Sequence, residues 1–140
     1  MNIYVAGSWS RRREIVAMVR RLEQDGHHIT SSWLTAEEPT PWDPQDPYSL
    51  PTDTIAMIAQ RDLHDVATSE AVVLIANEAG VKMTGGGRHW ECGYAYALGI
   101  PIIVVGRHEH VFHYLPRIVV TPDLDGMVME LRHLEGIKGQ

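Results

Sequence analysis

The chain has 140 residues, 44% of them hydrophobic and 21% charged, with a formal net charge of -6. That size and balance suit one globular domain spanning residues 1–140, and the acidic charge argues against a nucleic-acid binder, whose phosphate contacts need a basic face. The single cysteine, Cys92, excludes an internal disulfide. With no signal-like N-terminus and no apolar run long enough to span a bilayer, a reducing, cytoplasmic setting and a small-molecule substrate are expected.

Ile3-Tyr4-Val5-Ala6 reads as a buried strand that ends at Gly7-Ser8 and leads into a helix with Ile15, Met18, Val19 and Leu22 on one face, closed by Gly26. Arg11, Arg12 and Arg13 open that helix, where positive charge opposes the dipole. An anionic ligand or a solvated face would account for them equally. A short strand is expected at about 28–33. The stretch from Leu34 to Pro51 contains five prolines with Trp42 and Tyr48 among them, which forbids a regular element and suggests a lid or an interface segment.

The spacing next predicts a helix over about 54–68, with Ile55, Ile58, Ala59, Leu63 and Val66 on its apolar side. At 100° per residue Asp62 falls near the middle of that stripe, while Arg61 and Asp65 point elsewhere. A carboxylate on an inward face must be hydrogen-bonded, paired or functional, so Asp62 is either a structural cap for a neighbouring loop or part of a site. Ala71 to Ala76 and Ile102 to Val105 read as buried parallel strands, followed by a short strand near 118–120 and a helix carrying Leu124, Met127, Val128, Leu131 and Leu134, started by Thr121-Pro122.

Between the two buried strands lies Gly85-Gly86-Gly87-Arg88-His89-Trp90-Glu91-Cys92-Gly93-Tyr94-Ala95, a glycine turn running into a helix expected to be largely buried. Free N–H groups at a helix start attract anionic groups, so Glu91 would be held ionised and aimed. Arg88 is a candidate for a phosphate or for the Glu91 carboxylate itself, and in the second case would lower its pKa. Alternating strands and helices imply a three-layer α/β sandwich with a five-stranded parallel sheet in the order 2-1-3-4-5. Ligands bind such sheets beyond the carboxyl ends of the strands where the order reverses. That crevice would gather Gly7, Ser8, Trp9, Ser10 and Arg11 with Asp62, Gly85, Gly87 and Glu91.

Tyr4-Val5-Ala6-Gly7-Ser8, Arg61-Asp62-Leu63 and Gly87-Arg88-His89-Trp90-Glu91-Cys92-Gly93-Tyr94-Ala95, with Leu98-Gly99-Ile100-Pro101 after it, resemble the nucleoside 2-deoxyribosyltransferase superfamily, which includes the 2′-deoxynucleoside 5′-monophosphate N-hydrolases. The resemblance runs from residue 2 to about 120. It implies a flavodoxin-like fold, cleavage of an N-glycosidic bond without metal or organic cofactor, and a homodimer or higher homo-oligomer whose sites are completed by a neighbouring subunit. Glu91 would take the place of the nucleophile and Asp62 that of the acid beside the sugar, while Tyr4 would offer a phenol near the crevice. Two positions differ from the deoxyribosyltransferase pattern: Gly85 stands where an Asp holds the base, and Ser69-Glu70 replaces Ala-Asp before the third strand. In the monophosphate hydrolases serines and an arginine after the first strand hold the phosphate, a part open here to Ser8, Ser10 and Arg11. The partner's hydroxyl after the fourth strand falls near His113, which would donate to the phosphate in its place.

The expected chemistry is attack by a carboxylate on the anomeric carbon as the base leaves, then release of the sugar to water or to a second base. Hydrolysis of a nucleoside 5′-monophosphate is the first reading and transfer between bases the second. Two others remain: a phosphoribohydrolase of the lysine-decarboxylase-like group, whose Pro and Thr this turn lacks, and a nucleotide-binding module without catalysis. His108, His110 and His113, with Glu109 among them, read as a solvated or interface loop, not a metal centre. Trp9 and Trp90 read as base contacts with core packing as the alternative, and Cys92 as core filling.

Overall fold

The computed structural model describes residues 1–35, 50–80 and 86–139. Its strands are β1 (Asn2–Ala6), β2 (His28–Ile29), β3 (Ala71–Ile75), β4 (Ile102–Val105) and β5 (Ile118–Thr121); its helices are α1 (Arg12–Gln24), α2 (Thr52–Ala67), α3 (Gly87–Ala97) and α4 (Leu124–Lys138). All five strands pair in parallel in the order β2-β1-β3-β4-β5. The expected order and the strand–helix alternation are therefore found. The right-handed crossover rule puts α1 on one face of the sheet and α2 and α3, which pack on each other, on the opposite face. The proline-rich segment mostly lies outside the described residues, as does Gly85.

β1, β3 and β4 are Val/Ile/Leu-rich and buried almost throughout, as strands covered on both faces must be. Their register aligns Tyr4 with Val72 and Ile75 with Val105, so the carboxyl ends of the three central strands form one edge. Gly7 begins the exit from β1. A Cβ there would lie 2.4 Å from Ile15 Cδ1, so glycine lets the turn pass close over α1.

Several local expectations are corrected. The second strand keeps only two residues, because the chain turns at once into a 3₁₀ turn over Ser32–Leu34. That turn is tied to β1: Val5 N donates to Ser31 Oγ, and the Trp33 indole donates to Val5 O at 2.9 Å. Trp33 and Leu34 are buried. α4 is started not by Pro122 but by Asp123, whose Oδ1 accepts from Gly126 N at 2.9 Å. The connection from β4 to β5 contains only a 3₁₀ turn, Val111–Tyr114.

On α2 the buried residues are Asp65 and Val66; Ile55, Ile58 and Leu63 are half-covered and Ala59 is exposed. Asp62 is half-buried, and Asp65, expected to point elsewhere, is the buried acid. Its Oδ2 accepts from Ser32 N at 3.0 Å, which satisfies the buried carboxylate and makes it the structural cap that was considered for Asp62. α3 is likewise less buried than expected: Arg88, Cys92 and Ala95 face inward, while Trp90, Gly93, Ala97 and Leu98 are exposed. One expected outcome follows from the α4 cap. Asp123→Ala will lower unfolding free energy in urea by about 1 kcal/mol without altering the far edge of the sheet.

Candidate active site

Tyr4 lies in the middle of β1 and is fully buried; Glu91 is on the second turn of α3, partly shielded; Asp62 is on α2. Glu91 and Asp62 both act electrostatically on the Tyr4 phenol, which brings the three to one side of the sheet. Burial raises the Tyr4 phenol well above its ordinary range, and the charges of Glu91 and Asp62 add to the rise. The Glu91 carboxyl is pushed up to about 8, first by burial and then by the nearby Asp62 and Asp65 carboxylates. The Tyr4 hydroxyl has no hydrogen bond of ordinary geometry among the described residues, yet its polar contact with Glu91 is what works against burial and favours the carboxylate.

The expectation that Glu91 is held ionised is thus corrected: burial raises its pKa, and Arg88 does not offset that rise. Its guanidinium is buried and turned away from Glu91, with Nε donating to Glu109 Oε1 at 3.0 Å; the two side chains are 2% and 0% exposed. Arg88 is therefore committed to an internal ion pair. Asp62 is paired with Arg61, its neighbour in sequence, at 3.1 Å.

The loop after β1 reaches the same edge of the sheet. Asn77 Nδ2 donates to Ser8 Oγ at 2.8 Å. Arg11 Nη1 donates to Ala76 O at 2.7 Å, and the rest of its guanidinium grips Glu14 in a two-pronged pair at 2.8 and 3.0 Å. Arg11 is thus occupied in joining α1 to the end of β3. Arg12 lies over the Trp9 ring, 4.6 Å from its centroid, and its Nε donates to Leu34 O at 2.8 Å. Trp9, Ser10, Arg12 and Arg13 line an open cleft of about 520 Å³, within the range of small-ligand sites. Ser10 is exposed there, and Gly87 is exposed at the start of α3.

His113 is buried rather than presented outward. Its Nδ1 accepts from Glu109 N at 3.0 Å, and burial lowers its pKa to about 4. The histidine loop is therefore not simply solvated: His89, Cys92, His110 and Phe112 join His113 around a cavity of about 260 Å³. Among the described residues no group of histidine, cysteine and carboxylate side chains is arranged to hold a metal ion. Cys92 lines this cavity from a buried position, and burial pushes its thiol up to about 12, against a nucleophilic role. Glu70, in place of the family-pattern Asp, accepts from Asn2 N at 2.7 Å at the amino end of the sheet, away from this edge.

Two residues that matter here carry no motif: Asn77, just after β3, and Glu109, among the histidines of the loop after β4. The only available signal was an acid in a loop otherwise rich in histidine and followed by aromatics.

A parallel α/β domain with a shielded carboxyl group beside the reversal point of its sheet is a class of ligand-binding and catalytic scaffold. Residues 3–135 match the nucleoside 2-deoxyribosyltransferase family, and the chain belongs to that family of enzymes. The fold is similar to the CMP N-glycosidase BcmB of Clostridium botulinum, at 13% identity over 94% of this chain and 98% of that one, with a TM-score of 0.58. It is also similar to the 2-deoxyribosyltransferase of Bacillus psychrosaccharolyticus, at 15% identity over 91% and 90% of the two chains, with a TM-score of 0.65. No curated protein matches the sequence.

The raised Glu91 pKa has a consequence for stability. In the unfolded chain a glutamate ionises near its ordinary value of 4.5, but in the fold it retains its proton to about 8, so the unfolded state binds fewer protons between those values. This group's contribution to stability therefore falls as pH rises through that window. Glu91→Gln removes the effect. Denaturation midpoints of wild type and variant, measured from pH 5 to pH 8, should diverge in favour of the variant as pH increases.

Proposed function

We propose that the protein cleaves the N-glycosidic bond of a nucleoside 5′-monophosphate, with Glu91 as nucleophile and water as the final acceptor. The observation that carries this reading is the meeting of Glu91, Tyr4 and Asp62 beside the reversal point of the sheet, in a chain of this family. The names of the two similar structures, a CMP N-glycosidase and a 2-deoxyribosyltransferase, are consistent with such a reaction class.

In this reading the base leaves with the electron pair of the glycosidic bond and positive charge builds on the anomeric carbon. The ionised Glu91 is opposed to that carbon and closes on it to form a sugar ester. Water then adds its hydroxyl to the anomeric carbon as the ester C–O bond breaks, Glu91 leaves as the carboxylate and the water proton passes to the departed base. Tyr4 stabilises the carboxylate through its phenol, and Asp62 orients the sugar hydroxyls. The monophosphate preference rests on the cleft at Trp9, Ser10, Arg12 and Arg13, which combines a hydroxyl, two cations and an aromatic face. Since Arg11 is spent on Ala76 and Glu14, the phosphate falls to Ser8, Ser10 and Arg13, while Trp9 offers its ring to the base. Gly7 and Gly87 let the ligand approach the main chain. Transfer to a second base is the alternative, in which that base resolves the same ester. No metal or organic cofactor enters either route.

We also infer a homo-oligomer, assembled through the outer side of α2 and α3. Met57 and Trp90 are 69% and 66% exposed there, and large uncovered apolar residues mark association surfaces. Light scattering should give a multiple of the chain mass, and Trp90→Glu with Met57→Glu should reduce it to that of one chain. An unchanged mass in the double variant would remove this surface from consideration.

The reaction is tested by chromatography of nucleosides and their 5′-monophosphates, each with and without a second free base. Monophosphates should give free base and sugar phosphate, with kcat/KM at least about tenfold above the nucleosides, and Glu91→Gln should lower turnover by about 10³-fold or more while still binding product. Because kcat/KM reports the free enzyme, it should rise with pH and level off near 8, the value of the Glu91 carboxyl. Tyr4→Phe should shift that bend upward. Equal rates for nucleosides and monophosphates would defeat the phosphate assignment, and a full rate in Glu91→Gln would defeat the nucleophile.

A further inference from the structure

The carboxyl group of Glu109 lies outside the constellation of Tyr4, Asp62 and Glu91, and the reaction proposed above makes no use of it. We propose that Glu109 is a positioning residue for that reaction: its two oxygens join the first turn of α3 to the end of β3 and so fix Glu91 relative to the Ser8 loop. This rests on the nucleophile reading for Glu91.

Each oxygen of Glu109 has its own donor. Oε1 accepts from Arg88 Nε at 3.0 Å and Oε2 from Asn77 N at 2.8 Å. Arg88 precedes Glu91 by three residues on the same helix, so holding Arg88 sets the height and rotation at which Glu91 enters the site. Asn77 passes the link onward. Its Nδ2 donates to Ser8 Oγ at 2.8 Å, and its carbonyl accepts from Arg107 Nε at 2.8 Å. Arg11 closes the edge by donating to Ala76 O. The Glu109 backbone is itself anchored, its N–H donating to His113 Nδ1. Four segments of the chain, around residues 8–11, 76–77, 88–91 and 107–113, are thus tied at one buried carboxylate.

The chemistry of the link requires an anion that accepts twice. A glutamine has one acceptor oxygen and would present an N–H₂ to one of two donors, so Glu109→Gln keeps the shape while one contact becomes a clash of donors. Burial alone would raise the Glu109 pKa; the Arg88 hydrogen bond and the Asn77 amide outweigh it and hold the group below the ordinary carboxylate range.

The test compares wild type, Glu109→Gln, Asn77→Ala and the destabilised control Asp123→Ala, by amide hydrogen exchange and by steady-state kinetics on 5′-monophosphates. Glu109→Gln should reduce protection of amides in residues 7–11 and 87–91 by about tenfold or more, with α4 unchanged. It should also lower kcat by about 100-fold, the scale of loss from a misplacement near 1 Å. Asn77→Ala leaves the Arg88 pair intact and should raise KM several-fold with a smaller change in kcat. Asp123→Ala should alter neither constant. The proposal is overturned if Glu109→Gln retains local protection, or if it loses stability as Asp123→Ala does but keeps wild-type kcat and KM. Should Glu109→Gln not fold, the Asn77→Ala kinetics decide, and an unchanged KM there overturns it. Inactivity of the wild-type chain on every nucleotide would count against the reaction and not against the link, which the exchange data test alone.

Discussion

Two carboxyl groups are withdrawn from water around the first turns of α3, and the buried guanidinium on that helix, Arg88, serves only one of them. Arg88 pairs with Glu109, which also receives the Asn77 amide, so Glu109 is satisfied and ionised. Glu91, one turn further along, has Tyr4 for support and two further carboxylates nearby. Charge in a low-dielectric setting is costly unless paired. The result is an asymmetry around one helix: Glu109, from the loop after β4, is a paired anion at the edge of the sheet, and Glu91 has no cationic partner among the described residues.

How much of this could be read in the sequence depended on periodicity. β1, β3 and β4 are continuous apolar runs, and glycines fall where the helices stop or start, so the sheet and its order followed from pattern alone, while Tyr4 entered only through the family resemblance. Side-chain partners did not. Arg88 lies as close in sequence to Glu91 as an i, i+3 pair requires, but its buried partner comes from residue 109, and only the crossover after β4 brings that loop over α3. Helical phase misled for a related reason. The apolar stripe of α2 pointed to Asp62 as the inward acid, whereas the short second strand and the turn at Ser32 place a backbone donor opposite Asp65. A wheel drawn through apolar residues assumes that all of them are covered, and on α2 several are not.

The connection between β4 and β5 explains why the edge needs so many side-chain links. A parallel crossover usually carries a helix whose own packing holds the loops in place. Here the chain makes a single 3₁₀ turn between those strands, with Val111, Phe112 and Tyr114 on the outside. Main-chain groups at the ends of β3 and β4 are therefore met by side chains: Asn77 N by Glu109, Asn77 O by Arg107, Ala76 O by Arg11 and the Glu109 amide by His113. Those same residues flank the loop that follows β1 and the helix that carries Glu91. Backbone polarity at a shortened crossover is satisfied, and the loop after β1 is joined to the helix that carries Glu91, by one network. Its dependence on a single buried anion is what makes geometry at Glu91 sensitive to a residue eighteen positions away in sequence.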